Sequence, residues 1–206
     1  MSSLPHAADC PQSLLQRART GDAAALGQLL ELYRNYLRLQ ARALLGTGLR
    51  VRLDPSDLVQ ETFLDAARDF AEFAGGTERE LVAWLRQVLI RNVADQVKRH
   101  QSQKRDVRRG ESLEALLERS GRDAEQALAQ GISPPSAHAR RREQAVVLAD
   151  ALAALPPDYR EVIILRHLEH RSFGEIATRL GRSAGAVRML WTRALGKLHR
   201  ILEEQP

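Results

Sequence analysis

Residues 172–201 read SFGEIATRLGRSAGAVRMLWTRALGKLHRI, and this stretch predicts two helices joined by a tight turn. Ser172 suits an N-cap, and Glu175 three residues on completes a capping box. Ile176, Ala177 and Leu180 then share one apolar face. Gly181 stands where the first helix must stop and the backbone needs a positive φ. Arg182 and Ser183 make the turn, and Ser183 can cap the second helix. Val187, Leu190, Trp191, Ala194, Leu195, Leu198 and Ile201 recur at helical spacing and predict that helix's buried stripe.

The spacing fits a helix-turn-helix unit, whose second helix lies in the DNA major groove. Ala177 is small enough for a helix crossing, Gly181 follows it by four residues, and the branched Val187 comes six further on. The opposite face of the second helix carries Arg188, Met189, Thr192, Arg193 and Lys197. From Arg171 to Arg200 there are seven lysines and arginines against a single acid, Glu175. An amphipathic hairpin with a merely solvated basic face is the bland alternative. Turn, capping and charge all agree on the DNA-binding one.

The chain has 206 residues, room for one large domain or two small ones. Hydrophobic residues make up 44% and charged ones 28%, while aromatics are only 4% and β-branched runs are scarce, so an all-α protein is expected. A net charge of +5 favours a polyanionic partner. The single Cys10 can form no internal disulfide, and no Cys/His cluster has metal spacing, so a cytoplasmic protein without cofactor or metal is expected. His167 and His170 lack further ligands and read as surface or packing residues. No stretch approaches the ~20 apolar residues that span a bilayer.

In chain order, Met1 to Pro11 reads as a lead-in and Leu14 to Ala18 as a short helix broken at Gly21-Asp22. Asp22 is expected to cap one longer helix through Leu45, ended by Gly46-Thr47-Gly48. Asp54-Pro55-Ser56-Asp57 starts the next helix, with Leu58, Val59, Thr62, Phe63, Ala66 and Phe70 inside. Its outer side is acidic: Asp54 to Glu80 holds eight acids and two bases. Phe73-Ala74-Gly75-Gly76-Thr77 is a turn, and Thr77 with Glu80 makes a second capping box. The helix from Glu78 to about His100 has Leu81, Trp84, Leu85, Val88, Leu89, Val93 and Val97 inside and a basic tail. Arg86 to Arg109 holds eight bases against two acids. Trp84 reads as a core anchor, whereas Phe73 beside its glycines is the better platform for an unstacked base.

Gly, Pro, Ser and charged residues dominate from Gln101 to His138, which reads as a flexible linker, net positive through Arg142. The chain thus divides into residues 12–100, a linker at 101–138, and residues 139–206. In the last part, Val146, Val147, Ala149, Leu152 and Leu155 form one helical pattern, stopped by Pro156-Pro157. Val162, Ile163, Leu165 and Leu168 form the next.

Two basic elements, an acidic helix and an aromatic turn suit a protein that touches two separated DNA sites while bound to another protein. The motifs resemble those of bacterial RNA polymerase sigma factors, of the small extracytoplasmic-function (ECF) type in the sigma-70 family. Asp57-Leu58-Val59-Gln60-Glu61-Thr62-Phe63 resembles the region-two clamp-docking motif, and Ala83-Trp84-Leu85-Arg86 through Arg91-Asn92 to Asp95 the helix at the −10 element. Leu155-Pro156, Tyr159-Arg160-Glu161 and Leu165-Arg166 resemble the opening of region four. Phe173-Gly174-Glu175-Ile176-Ala177 and Gly185-Ala186-Val187-Arg188 resemble its −35-reading helix-turn-helix. Asp54 to Asp57, Phe73 to Thr77, Lys104 to Val107 and Arg166-His167 resemble a planctomycete-type branch. After Val187-Arg188 the family often has Ser-Arg, where this chain has Met189-Leu190.

The resemblance implies a non-enzymatic factor whose partners are core RNA polymerase (clamp and flap), promoter DNA and an anti-sigma factor, with no membrane insertion. It assigns polymerase binding to Asp57, Leu58, Gln60 and Glu61. It assigns the −10 element to Phe73, Gly75, Thr77, Arg91, Asn92, Lys98 and Arg99. For the −35 element, Arg188 and Arg193 would reach guanine edges, Arg171, Arg182 and Lys197 phosphates, and Ser183, Met189 and Thr192 share the surface. A stand-alone helix-turn-helix repressor or activator, binding as a dimer, is the rival. A nuclease using the acids after Asp54 lacks converging ligands, and a structural adaptor leaves both basic stretches unexplained.

Overall fold

The computed structural model describes residues 10–50, 52–102 and 135–204. Among these, all regular structure is helical, and the chain divides into two compact units, residues 1–142 and 143–206. The expected linker lies mostly outside the described residues, as does the lead-in before Cys10.

The first unit begins with α1 (Pro11–Arg19), whose N-cap is Cys10: the Cys10 sulfur accepts from Ser13 N. Leu14, Leu15 and Ala18 bury its inner face. Asp22 caps α2 (Ala23–Leu32) through Ala25 N at 2.9 Å and also binds Arg17, and together these hold its carboxyl below the usual range. The single long helix expected from Asp22 to Leu45 is two helices. Tyr33, at φ −100° and ψ 2°, separates α2 from α3 (Arg34–Leu49). The break has a packing cause. Tyr33 is buried, and the change of direction lets Leu29 and Leu30 before it and Tyr36, Leu37 and Ala41 after it enter one core. Burial, then the neighbouring Glu78 carboxylate, pushes the Tyr33 phenol up. Gly46 to Gly48 does not end α3, which continues to Leu49: a helical glycine costs only about 1 kcal/mol, and tertiary packing overrides it.

Asp54 caps α4 (Pro55–Asp69), with Pro55 in the first turn. A 3-10 turn follows at Phe70–Glu72, and then α5 (Glu78–Ser102) packs against α3 and α4. The inner residues of α5 include those expected from the spacing, except that Trp84 is half-buried, and Val82, Asn92 and Ala94 are buried beside them.

The second unit holds the end of α6 (Pro135–Ala154), then α7 (Pro157–His167), α8 (Phe173–Leu180) and α9 (Ala184–Glu203). Arg160 secures the α6–α7 corner by donating to the carbonyls of Leu152, Ala153 and Leu155 at 2.6–3.0 Å, which satisfies otherwise orphaned helix-end acceptors. The capping box of Ser172 and Glu175 is formed in both directions, and Gly181 adopts φ 62°. The side chain of Ser183 accepts from Ala186 N. Val187, Ala194 and Leu198 anchor α9 on α7 and α8, but Leu190, Trp191, Leu195 and Ile201 are only half-buried. A bundle this small covers only the centre of the apolar stripe. For the same reason Val147 and Leu168, expected inside, are exposed at 42% and 36%.

Candidate nucleic-acid and polymerase interface

The exposed face of α4 carries Asp57 and Gln60, while Glu61 is half-buried and accepts from Gln96 of the following long helix at 2.9 Å. Arg34 donates to Gln60 at 3.4 Å and to Glu31 at 2.6 Å, and its guanidinium lies 4.9 Å from the Phe63 ring centroid. Leu58, expected inside beneath these charged residues, is 2% exposed. Leu64 stands 66% exposed one turn beyond Gln60 and Glu61. Leu64 was legible as an apolar residue on the acidic face, off the buried stripe.

The turn after α4 is an aromatic cluster. Phe73 lies 5.1 Å from Trp84 and 5.8 Å from Phe70, centroid to centroid, and Phe70 meets Trp84 edge-on. Phe73 and Trp84 are thus one half-buried unit, not a free platform beside a core anchor. Gly75 closes over it: a Cβ there would collide with the Phe73 ring and stand 2.9 Å from Glu80 Cβ. Glu80 accepts from Gly76 N, Thr77 N and the Thr77 hydroxyl, and these bonds, the hydroxyl's first, hold its carboxyl below the usual range. From α1, Gln12 donates to the Gly76 carbonyl at 2.9 Å.

Along α5, Lys98, Arg91 and Arg99 are exposed. Arg91 pairs with Asp69 at 3.3 Å and Arg99 with Glu61 at 3.7 Å, both arginines more than half exposed. Such pairs are worth about 0–1 kcal/mol and yield easily to a phosphate. Asn92 is not on this surface. It is 4% exposed and donates to Thr62 Oγ1 at 3.4 Å, while Thr62 donates to the Leu58 carbonyl. A buried amide needs such a partner, so Asn92 ties α5 to α4.

In the helix-turn-helix, Arg188, Met189 and Thr192 are exposed within the first nine residues of α9. Arg193 and Lys197 follow, lining a groove with Arg200, Tyr159, Gly196 and Pro156. Arg171 pairs with Glu175 at 3.0 Å and Arg182 with Asp158. The hydroxyl of Thr192 donates to the Arg188 carbonyl, and Ser183 is committed to its cap. A feature not read from the spacing is the cluster of Phe173, Trp191, His167, Arg166 and Arg188, gathered from three helices.

Family models described as "Sigma-70 region 2" and "Sigma-70, region 4" match residues 29–103 and 145–198. Over 186 residues the chain is 30% identical to the ECF RNA polymerase sigma factor SigD of Mycobacterium tuberculosis strain H37Rv, covering 90% of this chain and 81% of SigD. The chain belongs to the ECF sigma factors of the sigma-70 family. It is likewise 30% identical over 182 residues to an RNA polymerase sigma-E factor of Streptomyces avermitilis, covering 88% of this chain and 90% of that factor. Against the ECF sigma factor BldN of Streptomyces coelicolor it is 30% identical over 198 residues, 93% of this chain and 65% of BldN. Among solved structures it is similar to a chain of the RsbN–BldN complex, at 24% identity and a TM-score of 0.33, covering 91% of this chain and 98% of that one.

This sigma factor therefore acts without catalysing a reaction: it binds core RNA polymerase and directs it to promoters for initiation. The stand-alone repressor reading falls with that assignment. No group of three or more His, Cys, Asp or Glu among the described residues could hold a metal, and no described helix is long and apolar enough to cross a membrane.

Proposed function

We propose how the two halves of this sigma factor divide the work. Residues 12–100 dock on the polymerase clamp and engage the −10 element, residues 139–206 engage the flap and the −35 element, and residues 101–138 link them. The observation that carries this reading is the exposure of Arg188, Met189 and Thr192 together at the capped start of α9, with an apolar and acidic face on α4. Asp57, Gln60, Glu61 and Leu64 form the docking face, where charge tunes encounter and the leucine supplies affinity. The turn of Phe73, Gly75 and Thr77 receives an unstacked base, while Arg91, Lys98 and Arg99 hold phosphates beside it. Trapping that base offsets a few kcal/mol of lost stacking and couples recognition to strand opening.

On α9, Arg188 and Arg193 read guanine edges and Arg171, Arg182 and Lys197 hold phosphates. The factor works in the cytoplasm with its polymerase. That BldN, 30% identical to this chain, forms a complex with RsbN supports an anti-sigma factor as a further partner. Run-off transcription with purified core polymerase on genomic fragments tests the reading. Arg188→Ala is expected to lose promoter selection and Asp57→Ala to weaken core association. Unchanged core association in a gel shift of Asp57→Ala overturns the docking assignment.

A further inference from the structure

We infer that Phe173 is a positioning residue for promoter reading, its ring holding the guanidiniums of Arg166 and Arg188 as a preset pair at the start of α9. The inference rests on Arg188 being a base reader, as proposed above. Arg166 Cζ lies 4.9 Å and Arg188 Cζ 5.7 Å from the Phe173 centroid, both within the range of a cation–π contact. The two arginines come from different helices, α7 and α9, and meet only on this ring. Neither has an ion pair among the described residues, so no carboxylate among them competes with DNA for these arginines.

The ring is itself held. Trp191, one turn along α9 from Arg188, meets Phe173 edge-on at 5.6 Å and 71°. The Trp191 indole donates to His167 Nε2 at 3.1 Å, and the two rings stack at 6.0 Å. Arg166 donates to the Arg171 carbonyl at 2.9 Å, which fixes it at the α7–α8 corner. Phe173 is only half-buried, at the first position of α8, so core filling alone does not account for an aromatic ring there. An arginine loses much rotamer freedom when it binds a base edge bidentately, and an arginine already lying on a ring has lost part of it beforehand. Two cations sharing one ring also repel each other, and a guanine edge or phosphate relieves that repulsion on binding.

The test uses full-length protein with core polymerase, on a promoter fragment selected by the holoenzyme and on the same fragment with its upstream element scrambled. The readout is the ratio of affinities for the two DNAs. Phe173→Leu, which keeps bulk but removes the ring, is expected to lower that ratio about three- to fivefold, with core affinity and scrambled-DNA affinity unchanged. Phe173→Tyr should retain the ratio. Phe173→Leu combined with Arg188→Ala should be no worse than Arg188→Ala alone. An unchanged ratio in Phe173→Leu alongside a lowered one in Arg188→Ala overturns the inference and spares the base-reader assignment. Equal loss on both DNAs, or effects that multiply in the double variant, overturn it in favour of a structural role. An unchanged ratio in Arg188→Ala removes the base-reader assignment and the inference with it.

Discussion

Met189 and Glu175 show how much a single side chain decides. Met189 is 55% exposed beside Arg188, where the family often places a polar reader. The apolar feature of the major groove is the thymine methyl, so Met189 suits a thymine within the upstream element. Met189→Ser is expected to abolish one thymine preference in a holoenzyme binding-site selection, and an unaltered preference at every position would remove Met189 from the reading set. Glu175 acts on stability. Its carboxylate accepts from the backbone and then the side chain of Ser172, and then from Arg171, which depresses it from 4.5 to about 2. A depressed carboxylate contributes its stability above its unfolded pKa and loses it as pH falls through the folded one. The contribution is therefore complete above pH 4.5 and disappears toward about pH 2. Glu175→Gln should flatten that part of the acid-unfolding curve, followed by circular dichroism. Asn92 is the residue at which sequence reasoning failed. The family resemblance assigned it to the −10 element, but it shares the inward face of α5 with Leu85, Leu89 and Val93, and Thr62 satisfies it.

Among the elements, the turn before α5 has a steric reason for one of its glycines. Gly75 lies against the Phe73 ring and Glu80 Cβ, leaving no room for a methyl group. Gly75→Ala should displace Phe73 from its packing on Trp84 and slow promoter opening, read by permanganate reactivity of thymines around the start site. Core binding should persist, because α4 is untouched. Opening at the normal rate would mean that the turn does not receive the base. Helix starts with a capping side chain were legible: Asp22, Asp54, Ser172 and Ser183 all cap where their side chains suggested, because capping is local chemistry, whereas the starts of α1 at Cys10 and of α3 at Tyr33 were not. Helix ends set by packing were not. Tyr33 divides α2 from α3 because both segments must reach one core, and α3 runs through Gly46 to Gly48. The pairing of α4 acids with Arg91 and Arg99 was equally invisible, since it joins residues 22 and 38 positions apart.

At the scale of the whole molecule, the proposed division implies that core docking and promoter reading fail separately. Leu64 is the sharpest probe of docking. It is 66% exposed, so replacing it should alter folding stability by no more than about 0.5 kcal/mol. Buried fully in an interface, a leucine contributes about 1.5–3 kcal/mol, equivalent to roughly ten- to a hundredfold in affinity. A charge at the same place adds a desolvation cost. Leu64→Asp should therefore lower core-polymerase affinity at least about tenfold, measured by anisotropy of labelled factor titrated with core enzyme. Asp57→Ala, at the charged part of the face, should act mainly on association rate and salt dependence. Holoenzyme assembled at high enough Leu64→Asp concentration should choose the same promoters as the unmodified factor, because Arg188 and its neighbours lie in the other compact unit. Full core affinity in Leu64→Asp would place the docking face elsewhere on the chain, and altered promoter choice at saturation would show that the two surfaces are coupled.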